Sequence, residues 1–495
     1  MQRYPIWILL LPLSLFCLTG QAQQKPNIIF ILADDLGYGS IGAFGQQKIH
    51  TPNLDAMARD GIKLTNFYAN SICSPTRCSF ITGMSSAHSV VRDNFELGGF
   101  EDSTEFGQFP LPHNILTLGT VLQAAGYRTA IFGKWGLGGP HSTGVPWEEG
   151  FDFFYGYLDQ KQAHNYYPTH LWRNDVSESL PNPYFSPHQQ LGNKDPNDPA
   201  SYTAYRGTVY SCDTITSEAL KYIRAHRDKP FFLYMAYTLP HMSLQVPEEY
   251  VKPYLGQFEE TPYKGGYLPN QTPHATYAAM ISLLDNYVGR IRQLLKDLHL
   301  DKNTLVIFTG DNGAAVGGGL DADYFDCSGI LRGRKGSLYE GGMKEPFLAC
   351  WPGRISPGSQ SDHISAIWDL LPTFAAAAGN PKVNGVDGIS MLPALEGNKQ
   401  AQKQHEFLYW EIHDPMKGMQ AVRFGDWKAV RKGTHKNPHA PIELYNLAAD
   451  PSETKDVAGE HPDLVRQAAT YMNSREVAAI PEWNFYVAPK VKSAD

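Results

Sequence analysis

Five unbroken apolar runs punctuate the first 350 positions. They are 27–33 (NIIFILA), 129–132 (TAIF), 230–237 (PFFLYMAY), 304–309 (TLVIFT) and 347–350 (FLAC). Short runs without alternation are the pattern of strands buried on both faces, as in a parallel sheet covered by helices. Helical spacing lies between them. Residues 117–125 start at Thr117, a side chain suited to cap a helix, and stop before Gly126. Residues 277–298 place Tyr277, Met280, Ile281, Leu284, Val288, Ile291, Leu295 and Leu298 on one face. Strands alternating with helices predict an α/β fold, a large and mostly parallel sheet flanked by helices.

Two stretches break the pattern. Residues 151–200 are rich in Tyr, Phe, His, Asn and Pro, with little periodicity, and read as a loop-rich excursion from the sheet. After 395, residues 407–412, 421–424, 427–431 and 442–447 read as short antiparallel strands, followed by a helix near 462–474. The expected organisation is therefore a catalytic domain over 23–395 and a smaller C-terminal α+β unit over 396–495.

The first 22 residues read as a secretory signal. Arg3 precedes an apolar run at 6–18, and Gly20-Gln21-Ala22 offers small residues at a cleavage site. That run is shorter than the roughly 20 residues a membrane helix needs, and no later segment predicts an integral membrane span. The expected setting is secreted or periplasmic. Composition narrows the rest. Of 495 residues, 42% are hydrophobic and 19% charged, so the chain is not disordered. The net charge of −8 gives no long-range pull on nucleic acid or anionic membrane. Six cysteines are too few for a disulfide scaffold.

Four of the apolar runs end in chemically active residues: Asp34-Asp35, Gly133-Lys134, Pro240-His241 and Asp311-Asn312-Gly313. In open α/β sheets ligands bind beyond the carboxyl ends of the strands, so these four endings predict one cleft. Asp34, Asp35, Asp311 and Asn312 are hard oxygen donors that suit Ca²⁺ or Mg²⁺. Like charges gathered this way call for a cation between them. A further segment, 71–83 (SICSPTRCSFITG), puts Pro75 in the first turn of a short helix and Cys73 just before its N-terminus, with Arg77 one turn further along to hold an anion's charge.

Cys73-Ser74-Pro75-Thr76-Arg77 with Thr82-Gly83 resembles the signature of the formylglycine-dependent sulfatases of the alkaline phosphatase superfamily. The resemblance runs through nearly the whole mature chain. It takes in Asp34-Asp35, Gly133-Lys134-Trp135, Pro240-His241, Asp311-Asn312-Gly313, Arg332 through Gly336 with Tyr339 through Gly342, and Glu443 through Leu447 with Asp450-Pro451. It implies that Cys73 is oxidised to formylglycine by a formylglycine-generating or anaerobic sulfatase-maturating enzyme. The hydrated aldehyde would attack sulfur, and its second hydroxyl would then expel sulfate. By position, Asp34, Asp35, Asp311 and Asn312 would hold one cation, Ca²⁺ or Mg²⁺, with residue 73 completing the shell. Arg77 and Lys134 would neutralise charge, while His241 and Lys335 would bind the sulfate and one of the two would protonate the leaving alcohol.

One departure stands out. Many family members carry His after Gly-Lys-Trp, where this chain has Gly136. His141, beyond the Gly138-Gly139 pair, could reach back in its place.

An exported sulfatase would meet sulfated glycans. Residues 151–172 hold eight aromatics together with His164, Asn165 and His170, a composition suited to sugar rings. The stretches at 136–140 and 162–168 resemble a bacterial branch associated with sulfated galactose-type sugars, which points to 4-O-sulfated galactose or N-acetylgalactosamine. Glu411, His413 and Arg423 could touch the sugar if the small domain rims the cleft. Two alternatives stay open: a phosphate or phosphonate ester hydrolase of the same superfamily, and a catalytically silent glycan-binding relative.

Overall fold

The computed structural model describes residues 25–380, 382–413 and 418–485. The segment read as an export signal lies outside them. The principal sheet contains β1 (Asn27–Ala33), β2 (Ile62–Tyr68), β3 (Arg128–Lys134), β4 (Phe153–Tyr157), β5 (His170–Arg173), β6 (Val176–Ser179), β7 (Phe231–Ala236), β8 (Thr304–Gly310), β9 (Lys344–Cys350) and β10 (Ser359–Ser361), with β11 (Ser365–Ala366) beside β2. The order across it is β10-β2-β9-β8-β1-β7-β3-β4-β5-β6. The central strands β8, β1, β7, β3 and β4 are parallel. β9 runs antiparallel to both β8 and β2, and β5 and β6 are antiparallel additions at the far side.

β1 explains the three layers. All seven of its residues are buried, and alternate side chains enter opposite cores. Ile29 and Ile31 face one core, which includes helices Ser211–His226 and Pro273–Asp297. Ile28, Phe30 and Leu32 face the other, with helices Cys73–Thr82, Leu118–Ala124 and Leu370–Ala377. Phe30 lies 4.4 Å from Phe80, ring to ring, and 6.0 Å from Phe374. This packing docks helix Cys73–Thr82 (the site helix) against the centre of the sheet.

The segment 151–200 is not wholly a loop. It opens with β4, which extends the sheet in parallel beside β3. Six of the eight aromatics over 151–172 are buried: Phe151, Phe154, Tyr155, Tyr157, Tyr166 and Tyr167. They pack the fold and leave little ring surface for a sugar.

A second sheet, β12 (Leu408–Ile412), β13 (Met419–Phe424), β14 (Trp427–Lys432) and β15 (Ile442–Asn446), is antiparallel throughout. Helix Pro462–Met472 covers it with Ala468 and Met472 against Val422 and Leu444. Two buried contacts fasten it to the larger sheet. Trp410 Nε1 donates to the Ala69 carbonyl at 2.9 Å, and the Lys428 ammonium lies 3.0 Å from both Glu340 and Glu453. Among the described residues, Cys73, Cys78, Cys212, Cys327 and Cys350 are all free and buried. No helix among them is long and apolar enough to cross a membrane.

Candidate active site

β8, β1, β7 and β3 lie side by side and in parallel, so the residues that follow them emerge at one sheet edge. Backbone bonds set the depth of each: Asp34 N–H donates to the Leu239 carbonyl and Asp311 N–H to the Ala33 carbonyl, both at 2.9 Å. Asp35 takes a left-handed backbone conformation (φ 61°), a strained state that concentrates at functional sites. Its N–H donates to Asp311 Oδ1 at 3.0 Å, and its carboxylate accepts from Asn312 Nδ2 at 2.7 Å.

The site helix delivers Cys73 and Arg77 to this edge. Cys73 Sγ lies 3.3 Å from Asp34 Oδ1 and 4.0 Å from Asp35 Oδ1. Thr76 Oγ1 donates to the Asp311 carbonyl at 2.6 Å and pins the helix to β8. Arg77 is fully buried. It donates to Asp34 Oδ2 at 3.2 Å, Asp311 Oδ2 at 3.0 Å and the Lys134 carbonyl at 2.7 Å. Lys134 Nζ donates to Asp34 Oδ2 at 2.6 Å, and Lys335 Nζ to the Asp35 carboxylate at 2.8 Å. His241 Nε2 sits 3.2 Å from Lys335 Nζ and 3.4 Å from Asp35 Oδ2. Asp34, Asp35, Arg77, Lys134, His241, Asp311, Asn312, Lys335 and Cys73 thus form one cluster, buried apart from the partly exposed Lys335.

The electrostatics are those of a site built for an anion and a cation together. Burial works against the Asp34 carboxylate, yet Lys134, His241 and Arg77 hold it well below its usual range. Burial, then repulsion from Asp34, pushes Asp311 up to about 7. Burial also drives the His241 imidazole down to about 4, which leaves it neutral near pH 7. Lys335 stays charged despite burial because Asp35 faces it. Asp34, Asp35 and Asp311 face Arg77, Lys134 and Lys335, so the opposite charges nearly balance and a divalent cation would tip the site toward an anionic ester. Asp34, Asp35, Cys73 and His241 each present a ligand atom within 4.8 Å of the others, and the carboxylate oxygens among them, with Asp311 bound to the Asp35 N–H, are the donors that suit a hard cation. Asn312 Oδ1 is buried with no hydrogen-bond partner. Burial, with Asp311 and Asp34, pushes the Cys73 thiol well above its usual range. As a thiol, residue 73 would be protonated and a poor nucleophile.

The remaining candidates fall in different places. His164 adjoins the cluster, its ring 4.7 Å from that of His241. His170 is bound to Glu105 at 2.9 Å as part of β5. His141 is exposed on a loop, with φ 64°. Arg423 is buried over the Tyr68 ring and contacts its hydroxyl, so it offers no surface to a sugar. Glu411 is fully enclosed. Arg92 and His413 each lie 3.0 Å from its Oε1, Arg475 Nε lies 2.6 Å from its Oε2, and the Tyr409 hydroxyl donates at 2.5 Å. His413 is buried beside it and stacks on Phe485 at 4.7 Å. These two residues bind the small sheet to the segment after the site helix rather than face a ligand.

Removing one member of such a network leaves buried charge without a partner, so Glu411→Gln should lower unfolding free energy by about 3–5 kcal/mol, read from denaturant midpoints. Burial opposes the Glu411 carboxylate, yet His413 and Arg475 hold it down to about 2 against an ordinary 4.5. Its contribution is therefore complete above pH 4.5 and lost as pH falls toward 2. The variant should be insensitive to pH in that part of the acid limb.

Sequence patterns alone missed several residues at the site. Asn94 Oδ1 accepts from the Ser74 N–H at 3.0 Å, at the first turn of the site helix. Phe100, His188 and Tyr267 are half-buried near His164. The His188 ring lies 4.0 Å from Phe100 and 4.5 Å from Tyr267, and His164 Nδ1 meets His188 Nε2 at 2.9 Å. Loop residues so far apart in the chain carry no spacing signal.

A family model described as Sulfatase matches residues 26–380. The chain belongs to the sulfatase family. A second model, N-sulphoglucosamine sulphohydrolase, C-terminal, matches residues 334–475. Arylsulfatase A of Bos taurus is 32% identical over 92% of this chain and 88% of its own length. N-acetylgalactosamine-6-sulfatase of Homo sapiens is 33% identical over 93% and 87%. The solved structure of Ps i-CgsB in complex with k-i-k-neocarrahexaose superposes with a TM-score of 0.75 at 28% identity, covering 92% of this chain and 94% of that one. The enzyme is a sulfuric ester hydrolase of alkaline phosphatase-like architecture. Its buried Asp/Cys/His cluster is of the kind that could bind a metal.

Proposed function

We propose that the enzyme removes sulfate from sulfated sugars, with residue 73 as the nucleophile after oxidation to formylglycine. Asp34, Asp35, Asp311, Asn312 and residue 73 would hold one divalent cation, Ca²⁺ or Mg²⁺. Hydrated formylglycine supplies an oxygen nucleophile that a protonated thiol does not, and the cation favours its ionised form. The observation that carries this reading is the position of Cys73 Sγ, 3.3 Å from Asp34 Oδ1 in a cluster that keeps the thiol protonated. Arg77 and Lys134 flank residue 73 and offset charge that builds on the sulfuryl oxygens. Neutral His241 Nε2 and charged Lys335 Nζ, 3.2 Å apart, are placed to bind the sulfate; the ammonium carries the proton for the leaving oxygen. Cys73 is 2% exposed, so the oxidising enzyme would meet the chain before the site helix packs. Residues 1–22 would direct export.

The sugar reading draws on the relative named N-acetylgalactosamine-6-sulfatase, on the neighbour solved in complex with k-i-k-neocarrahexaose, and on the Phe100–His188–Tyr267 wall beside His164. A 4-O-sulfated galactose or N-acetylgalactosamine is the specific proposal. Removing one stacking ring costs about 0.5–1.5 kcal/mol, so Phe100→Ala and His188→Ala should each raise KM for a sulfated galactoside by up to about tenfold. Turnover of nitrophenyl sulfate should stay unchanged. Equal effects on both substrates would remove the wall from sugar recognition.

A further inference from the structure

Gly136, at the position where many sulfatases place His, has φ 76°, and a Cβ there would lie 2.8 Å from Gln160 Cγ and 2.9 Å from Gln160 Cδ. The space a side chain at 136 would need is already filled by Gln160, which enters from the loop after β4. β4 is the neighbour of β3, and the two following loops run side by side: Trp135 N–H donates to the Tyr157 carbonyl at 2.9 Å and Gly136 N–H to that of Leu158 at 3.2 Å. The Gln160 backbone is anchored by its N–H to Gln108 Oε1 at 3.0 Å. Its side-chain Nε2 donates to Ser74 Oγ, which donates in turn to the Gly136 carbonyl at 3.0 Å.

That leaves one atom unexplained. Gln160 is 3% exposed, and its Oε1 is buried with no hydrogen-bond partner. A buried amide oxygen without a donor costs free energy, and such atoms call for a specific explanation. Oε1 shares a carbon with the nitrogen that reaches Ser74, so it too lies at the first turn of the site helix, one residue from the nucleophile.

We propose that Gln160 is a positioning residue for the second half of turnover, in which its Oε1 accepts a hydrogen bond from the hydroxyl of residue 73 that is not on the cation. This rests on the sulfatase reading with formylglycine at residue 73. In the first half, the S–O bond to the substrate oxygen breaks, an S–O bond to residue 73 forms, and the alcohol leaves with a proton. In the second half, the bond between Cβ of residue 73 and the sulfate oxygen breaks. The remaining C–OH becomes C=O, and its proton leaves with the sulfate as bisulfate. Gln160 takes no proton. It fixes the hydroxyl so that its lone pair lines up with the departing sulfate.

The test compares Gln160→Met, which keeps length and approximate volume but removes both the acceptor and the donor to Ser74, with Gln160→Glu, which keeps an acceptor oxygen and lacks the same donor, so the lost Ser74 bond is common to both variants. Because the acceptor serves only the second half, Gln160→Met should lower kcat about tenfold or more. KM should fall in parallel and kcat/KM should hold, with a burst of one nitrophenol per active site from nitrophenyl sulfate. The residue-73 peptide, recovered during turnover, should carry the added mass of one SO₃ group, a readout that lost packing would not produce. Gln160→Glu should shrink both burst and added mass. An unchanged kcat, a kcat loss without burst and added mass, or a glutamate variant that behaves like the methionine one would each overturn the proposal. A wild-type protein with formylglycine at residue 73 that releases no nitrophenol would overturn the sulfatase reading instead.

Discussion

Cys73→Ala should abolish hydrolysis of nitrophenyl sulfate, lowering kcat by at least about 10⁴-fold while the protein still folds. Residue 73 is the first residue of the site helix, and its side chain faces Asp34 and Asp35 rather than the hydrophobic cores. Its loss therefore removes the nucleophile and little packing. The helix keeps its other anchors: Thr76 on the Asp311 carbonyl, Arg77 on Asp34 and Asp311, and Asn94 on the Ser74 N–H. The measurement is an initial rate beside a thermal unfolding midpoint. A variant with an unchanged midpoint and more than about one hundredth of the wild-type rate would place the nucleophile elsewhere.

The second large effect is that of the cation. Chelation of the holoenzyme should eliminate turnover, and Ca²⁺ or Mg²⁺ should restore it. It should also lower the unfolding midpoint, because a ligand bound at about 1,000 times its Kd contributes about 4 kcal/mol to the folded state. Asp34, Asp35 and Asp311 are all buried within one cluster, and Asp311 is already pushed up to about 7 by burial and by Asp34. Asp311→Asn should reproduce the loss of rate and blunt the response of the midpoint to added cation. Full activity after chelation, with an unmoved midpoint, would remove the metal from the account.

Much of this site was legible because parallel strands buried on both faces print as unbroken apolar runs. NIIFILA and TLVIFT therefore announce their own ends, and with them Asp34-Asp35 and Asp311-Asn312. Gln160 was not legible in this way. It follows β4, a strand hidden in an aromatic stretch without helical or alternating spacing, and only the placement of β4 beside β3 brings it to Ser74 and Gly136. The only trace in the sequence was a missing side chain at Gly136. His170, Glu411 and Arg423 show the opposite failure. Each is a polar residue in or next to a strand, which reads as surface. The partners that bury them, Glu105 for His170, Arg92 and Arg475 for Glu411, and Tyr68 for Arg423, lie 64 to 355 residues away. Partners at such distances are set by the packing of the small sheet and by the layout of the excursion, neither of which has a local pattern.

The identity of residue 73 in the mature protein is the most direct test. Peptide mass analysis of the protein purified from its own host should find formylglycine in place of Cys73, in a preparation that hydrolyses nitrophenyl sulfate faster than nitrophenyl phosphate. An unmodified thiol at residue 73 in a preparation that turns over the sulfate ester would contradict the account.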